Sequence, residues 1–341
     1  MMLKEEWKKQ GYIDEPYAGE TELKTAIRQL CKEKQAVVLA HYYTVGDVQD
    51  VADFIGDSLA LARKAAKTDA KIIVMCGVHF MAETCKLLSP EKLVLCPDLN
   101  AGCSLADSCK AEDLKKFKDE HPGYQVISYV NTTAAVKALT DVVVTSGNAK
   151  KVVDQLPQDG KFIFGPDYNL GNYINEVTGR NMLLWNGGCH VHERFSVNKI
   201  LELKKQYPDA VVMAHLECKG PVLAVADVKG STATMLQYTQ TSDKKQFIVA
   251  TEAGILHEMQ RTCPDKEFIP VPPEISEGLR VGEQSSEMSD LECSCNECQY
   301  MKMNSLLKIY NTLKYEWPSV EVDAAIANDA VKPIKRMLEL S

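Results

Sequence analysis

The sequence predicts an α/β protein made of three pseudo-symmetric, three-layer α/β/α units with short parallel sheets, arranged around a central active site. Three observations carry this prediction. A buried-strand pattern ending in polar side chains occurs three times, a small hydroxyl residue follows each at a nearly constant distance, and a cysteine closes each unit. Strands that alternate with helical stretches form parallel sheets, because each crossover lays a helix on one face of the sheet.

The first strand of each unit occupies residues 36–43, 125–131 and 210–217. In these segments His41, Tyr129 and His215 correspond, as do Tyr43, Asn131 and Glu217. From the first member of each set to the following hydroxyl residue the chain runs 17, 17 and 16 residues, reaching Ser58, Ser146 and Ser231, each expected to open a helix. After Ser58, Leu59, Leu61, Ala62, Ala65 and Ala66 recur at helical spacing. Second strands are predicted at 71–75, 161–164 and 246–250, and third strands at 92–96, 181–185 and 267–271. Cys103, Cys189 and Cys298 lie just beyond them, the last after a glutamate- and serine-rich insertion. The reading divides the chain into an arm (1–22), three units (23–108, 109–192, 193–300) and C-terminal helices (301–341) that pack back on the units. Of those helices, one begins near Met301 and a last one covers residues 324–340.

Composition narrows the function classes. Charged residues at 25% and hydrophobic residues at 45% are ordinary globular values. A formal net charge of -8 argues against nucleic acid as a partner, since backbone binding needs a basic surface. No apolar run is long enough for a membrane span, and no apolar segment follows the charged N-terminus, so the chain reads as cytoplasmic. Twelve cysteines in such a chain point to buried thiols, metal ligands or redox pairs rather than a disulfide framework. Cys31, Cys76, Cys96 and Cys263 read as small buried hydrophobes, while Cys85 and Cys109 stay open between these roles.

In parallel α/β units ligands bind beyond the carboxyl ends of the strands, where the unusual polar residues lie. Three units pointing their strand ends at one centre bring Cys103, Cys189 and Cys298 together, although they are 86 and 109 residues apart in sequence. Three thiolates hold three irons of a [4Fe-4S] cluster, one per chain, and leave the fourth iron open for catalysis. Ser58, Ser146, Ser231 and Thr232 offer hydroxyls and free N–H groups to an anion, although such residues are often plain helix caps. His41 and His215 can donate to carboxylate or phosphate oxygens, or serve as core histidines. Tyr43, Tyr129, His192 and Glu217 are candidates for proton transfer. The dense run Cys293-Ser-Cys295-Asn-Glu-Cys298 also permits zinc, though no second pair of ligands stands at finger spacing.

These residues resemble the quinolinate synthase family. The likeness extends from Ala40-His-Tyr-Tyr and Gly56-Asp-Ser through Ala101-Gly-Cys-Ser, Ser128-Tyr-Val-Asn-Thr, Thr145-Ser-Gly-Asn-Ala, Cys189-His-Val-His-Glu, Ala214-His-Leu-Glu-Cys and Gly230-Ser-Thr to Cys298-Gln-Tyr-Met. The resemblance implies three α/β/α domains around a cavity and a [4Fe-4S] cluster held by Cys103, Cys189 and Cys298. It implies condensation of iminoaspartate with dihydroxyacetone phosphate to quinolinate, for NAD biosynthesis. It makes His41, Ser58, Tyr129, Asn131, Ser146, His215, Glu217 and Thr232 substrate-binding, with Ser231 beside them, and Tyr43, His192 and Glu217 the acid–base set. A transient contact with the iminoaspartate-producing enzyme also belongs to the expected partners. The run Cys-x-Cys-x2-Cys differs from the family's usual Cys-x2-Cys-x2-Cys and keeps Cys295 a rival to Cys298. Two other functions remain open: a [4Fe-4S] hydro-lyase on another small polycarboxylate, which needs no phosphate, and an iron–sulfur redox sensor, which needs no converging Tyr, His, Glu and Asn.

Overall fold

The computed structural model describes residues 3–274 and 296–341. Residues 275–295, with Cys293 and the rival ligand Cys295, lie outside the described residues. After helix α1 (Glu5–Gln10), the chain forms α2 (Leu23–Lys34), β1 (Ala36–His41), α3 (Gly46–Val51), β2 (Phe54–Gly56), α4 (Ser58–Lys67), β3 (Ile72–Cys76), α5 (His79–Leu88), β4 (Leu93–Leu95) and α6 (Ser104–Ser108). The order then repeats: α7 (Ala111–Asp119), β5 (Gln125–Tyr129), α8 (Ala134–Lys137), β6 (Val142–Val144), α9 (Ala149–Asp154), β7 (Phe162–Gly165), α10 (Tyr168–Thr178) and β8 (Leu183–Leu184), ending in a 3₁₀ turn at His192–Arg194. A third pass gives α11 (Val197–Gln206), β9 (Val211–His215), α12 (Gly220–Ala224), β10 (Val228–Gly230), α13 (Thr232–Thr241), β11 (Gln246–Ala250), α14 (Ile255–Thr262) and β12 (Glu267–Pro270). The chain closes with α15 (Gln299–Lys302), α16 (Leu306–Tyr315) and α17 (Ala324–Leu340).

Three four-stranded sheets result, all parallel, with one order: β2-β1-β3-β4, β6-β5-β7-β8 and β10-β9-β11-β12. The central strands are buried along almost their whole length, as parallel strands covered by helices on both faces must be. Each sheet therefore has four strands where the sequence reading placed three. The extra members, β2, β6 and β10, are three residues long, too short for a clear hydrophobic period.

An aspartate precedes each of these short strands. The carboxylate Oδ2 of Asp53 accepts the Val38 N–H at 2.7 Å, that of Asp141 the Val126 N–H at 2.7 Å, and that of Asp227 the Val212 N–H at 2.8 Å. The backbone N–H of each aspartate returns a bond of 2.9 Å to the carbonyl of the same valine. The sequence separation is 15 in every case. This two-point clamp sets the register in which the short edge strand joins the central one, three times over.

The C-terminal helices tie the sheets together. Helix α16 packs on α2, and α17 lies across β6 and α8, also touching α5. The helix expected to run on from Met301 is broken into α15 and α16, because Asn304 turns inward to donate to Gly77 O and Met301 O. Ser305 then caps α16. No helix among the described residues is long and apolar enough to cross a membrane.

Candidate active site

The strand ends supply one cavity, lined from all three sheets. Its wall includes His41, Tyr43 and Ser58 from the first, Tyr129, Asn131 and Ser146 from the second, and His215, Glu217 and Thr232 from the third. Cys103, Cys189 and Cys298 line it too, with Val78, Phe80 and Met301 as apolar wall.

Glu217 is the electrostatic centre. It is 4% exposed, and its Oε1 accepts the Tyr129 hydroxyl at 2.5 Å. Oε2 stands 3.2 Å from His192 Nδ1. Burial pushes the carboxyl up, but the adjacent His192 ring and the hydrogen bonds from His192 and Tyr129 outweigh burial and hold it well below the usual carboxylate range. Burial in turn drives the Tyr43 and Tyr129 phenols well above their ordinary range, so both keep their protons.

The two strand-end histidines share one device. His41 Nδ1 accepts the Tyr43 N–H at 3.1 Å, and His215 Nδ1 accepts the Glu217 N–H at 3.3 Å. A ring nitrogen that accepts carries no hydrogen, so both rings are neutral with hydrogen on Nε2. The 3.7 Å approach of His215 Nδ1 to Glu217 is accordingly no ion pair. Burial agrees with this geometry, lowering His41 to about 3 and His215 to about 4. His215 Nε2–H donates to Ser146 Oγ at 3.2 Å.

Ser58 is the first residue of α4 and Thr232 the first of α13, so their hydroxyls and free N–H groups face the cavity together. Ser146 does not open a helix: it sits in a turn three residues before α9, and reaches the cavity from there. Ser231 is a helix cap, its Oγ accepting the Thr234 N–H at 3.2 Å, and is absent from the cavity wall. The 16-residue spacing placed it one position early. Asn131 lines the cavity with a buried Oδ1 that has no protein partner, an acceptor left for a ligand.

The three thiols tell whether a metal group fits. Burial pushes Cys103 up to about 12, Cys298 up to about 11 and Cys189 well above its ordinary range, while the amide three residues on pulls each the other way. Thiols so placed become thiolates only beside a cation, which is what a bound metal group provides. The ligand atoms of Cys189, His192 and Glu217 lie within 4.8 Å of one another, and Cys189 interacts electrostatically with both Cys103 and Cys298.

Several residues in the wall or directly behind it were not anticipated. Thr251 Oγ1 joins Tyr43 Oη at 2.7 Å to His192 Nε2 at 2.9 Å. Glu252, fully buried, pairs with Lys302 at 2.8 Å and accepts the Cys298 N–H at 2.9 Å, so it shapes the third thiol's loop. His190, Ser104 and Tyr300 complete the wall beside Cys103. Thr251 and Glu252 follow β11. Reading the polar ends of the second strands as well as the first would have found them.

Acid–base side chains and three thiols in one buried cavity beyond parallel strands define an α/β enzyme that acts on a small molecule and is suited to a metal group. The chain belongs to the quinolinate synthetase A family, whose model, described as "Quinolinate synthetase A protein", matches residues 25–339. Among its relatives is a protein of Rippkaea orientalis named quinolinate synthase, 51% identical over 94% of this chain and 94% of the relative. The quinolinate synthase of Trichormus variabilis is 52% identical over 94% of each chain. That of Thermosynechococcus vestitus is 52% identical over 94% of this chain and 96% of the relative.

Proposed function

We propose that this protein is a cytoplasmic transferase of NAD biosynthesis that condenses iminoaspartate with dihydroxyacetone phosphate to quinolinate, releasing phosphate and water. The observation that carries this reading is Glu217, an ionised buried carboxylate facing three thiols, one beyond the strands of each sheet. The shared strand order supports three pseudo-symmetric units, 23–108, 109–192 and 193–300, around that cavity, with an arm 1–22 and C-terminal helices 301–341 that pack back on the units.

Neutral His41 donates its Nε2–H to carboxylate or phosphate oxygens without the cost of burying a charged ring, and His215, whose Nε2–H holds Ser146 Oγ, turns that hydroxyl toward the same oxygens. Ser58 and Thr232 add hydroxyls at two helix N-termini, where the dipole favours anions. Asn131 orients the substrate through its free carbonyl. Glu217 takes a proton from substrate carbon or returns one to a departing hydroxyl, and Tyr129 and His192 hold it in place. A [4Fe-4S] group held by Cys103, Cys189 and Cys298, its fourth iron open, would supply a Lewis acid for a substrate oxygen. Because an imine hydrolyses in water, a transient contact with the enzyme that makes iminoaspartate fits this reading. The test is quinolinate formation by anaerobic protein loaded with iron and sulfide. Turnover that needs no triose phosphate would favour a hydro-lyase instead.

A further inference from the structure

We propose that Lys137 is a positioning residue of this reaction, its buried side chain clamping the turn that presents Asn131 to the substrate. The inference rests on the functional reading above. Lys137 ends α8, and its side chain is fully buried. Its Nζ donates to Val130 O at 2.9 Å and to Thr132 O, the carbonyls on either side of Asn131. The same ammonium lies 5.4 Å from the centre of the Phe80 ring, part of the apolar wall of the cavity. Lys137 itself does not line the cavity, so one cation stands behind two parts of the wall, from the first and second units.

Asn131 needs such a support. Beyond β5 the chain bends so tightly that the Thr132 N–H reaches Val130 O at 2.8 Å, with Asn131 at the apex. That single bond closes the three-residue turn, so the direction of the apex side chain depends on what else holds the carbonyls. Val130 and Thr132 are buried, and their carbonyls must find donors inside the protein. Lysine suits both at once, because its ammonium has three hydrogens and charge-assisted bonds are stronger than neutral ones. Burial lowers that ammonium to about 8, which leaves it charged at neutral pH. A buried cation is costly. The two carbonyls, the Phe80 face and Glu83 of α5 offset that cost, and Glu83 Oε2 is itself held by the Ala134 N–H at 3.0 Å. Cys103 is the other ionisable group that acts on Lys137. With the turn clamped, the buried Asn131 Oδ1, which has no protein partner, is fixed as an acceptor for a substrate O–H or N–H. Of the two wall residues that Lys137 supports, only Asn131 offers a polar atom to the substrate, so the effect of the lysine passes through it.

The experiment compares full-length wild type, Lys137→Met, Asn131→Ala and the double variant, each loaded anaerobically with iron and sulfide. Methionine fills the space of the lysine stem but donates nothing. Lys137→Met should lose roughly ten- to a hundredfold in kcat/KM, with iron content and thermal midpoint near wild type. The loss should fall in the same parameter, kcat or KM, and for the same substrate, as in Asn131→Ala, a match that a general loosening of the fold would not give. In the double variant the two losses should fall well short of multiplying, because both act through one contact. Near-normal kcat/KM in either single variant overturns the proposal, as does full multiplication, or a loss in a different parameter. Iron lost from Lys137→Met at an unchanged midpoint assigns the ammonium to Cys103 instead, and overturns the proposal too. Should methionine lower the midpoint, Lys137→Gln decides, its stem one bond shorter than lysine and so a weaker clamp. A loss of kcat/KM there that disappears in the Asn131→Ala background supports the proposal. No loss, a loss that persists in that background, or a lowered midpoint in this variant as well overturns it. Wild type that forms no quinolinate overturns the functional reading instead, so the two failures are told apart.

Discussion

At the residue scale the account turns on Glu217, a carboxylate kept charged inside a cavity. Glutamine at 217 preserves size and the Tyr129 contact but cannot titrate. Glu217→Gln should keep iron and sulfide and bind substrate, yet lose at least about a hundredfold in kcat, the low end of acid–base contributions. Near-normal turnover in that variant would pass the role to Tyr43. The anion contacts give a second prediction. Ser58→Ala or Thr232→Ala should each lower kcat/KM roughly ten- to a hundredfold, the worth of one hydrogen bond to a charged group. Ser231→Ala should leave kcat/KM alone, because that hydroxyl serves its own helix. A third prediction concerns acid. His41 and His215 stay neutral in the fold down to about pH 3 and 4, while in the unfolded chain they take protons near about 6.5. The unfolded state binds more protons between those values, so stability falls as pH drops through about 6.5 toward 4. His41→Asn should flatten that loss, as read from denaturation midpoints between pH 7 and 5. Most residues at this scale were legible, since each closes a hydrophobic strand with a polar group. Ser231 misled because helix starts put two hydroxyls side by side, and only a backbone decides which one caps.

At the element scale the sheets rest on a feature the strand pattern hid. Asp53, Asp141 and Asp227 each stand 12 residues after His41, Tyr129 and His215, a regularity as constant as the serine spacing. Hydrophobic runs were the signal for strands, and an aspartate before a three-residue strand reads as a turn. Each clamp satisfies a backbone N–H of a central strand, so replacing any one aspartate by alanine should cost about 1–2 kcal/mol by urea denaturation. Equal stability in all three variants would mean that water replaces the carboxylate at no cost. Helix α17 was legible from its spacing, with Pro333 tolerated inside it. The break between α15 and α16 was not, because Asn304 acts through Gly77, far away in sequence.

At the scale of the whole molecule the cavity exists only where three sheets meet, and no single unit holds a complete site. The recurrence of strand, hydroxyl and cysteine made that convergence legible, since parallel strands display their ligands at one end. What the repeat could not show was the cross-unit wiring. Tyr129 of the second sheet reaches Glu217 of the third, and Thr251 reaches back to the first. Such contacts have no spacing rule, because they depend on how one unit faces another. The central claim is that Cys103, Cys189 and Cys298 together hold one iron–sulfur group that this cavity needs to make quinolinate. The most direct measurement is iron, sulfide and quinolinate formation in anaerobic wild type beside Cys103→Ser, Cys189→Ser, Cys298→Ser and Cys263→Ser. The account predicts about four irons and four sulfides per chain in wild type and Cys263→Ser, both active, and little iron and no quinolinate in the other three. A chain that keeps its iron and activity without Cys298, or that makes quinolinate with no iron at all, would contradict it.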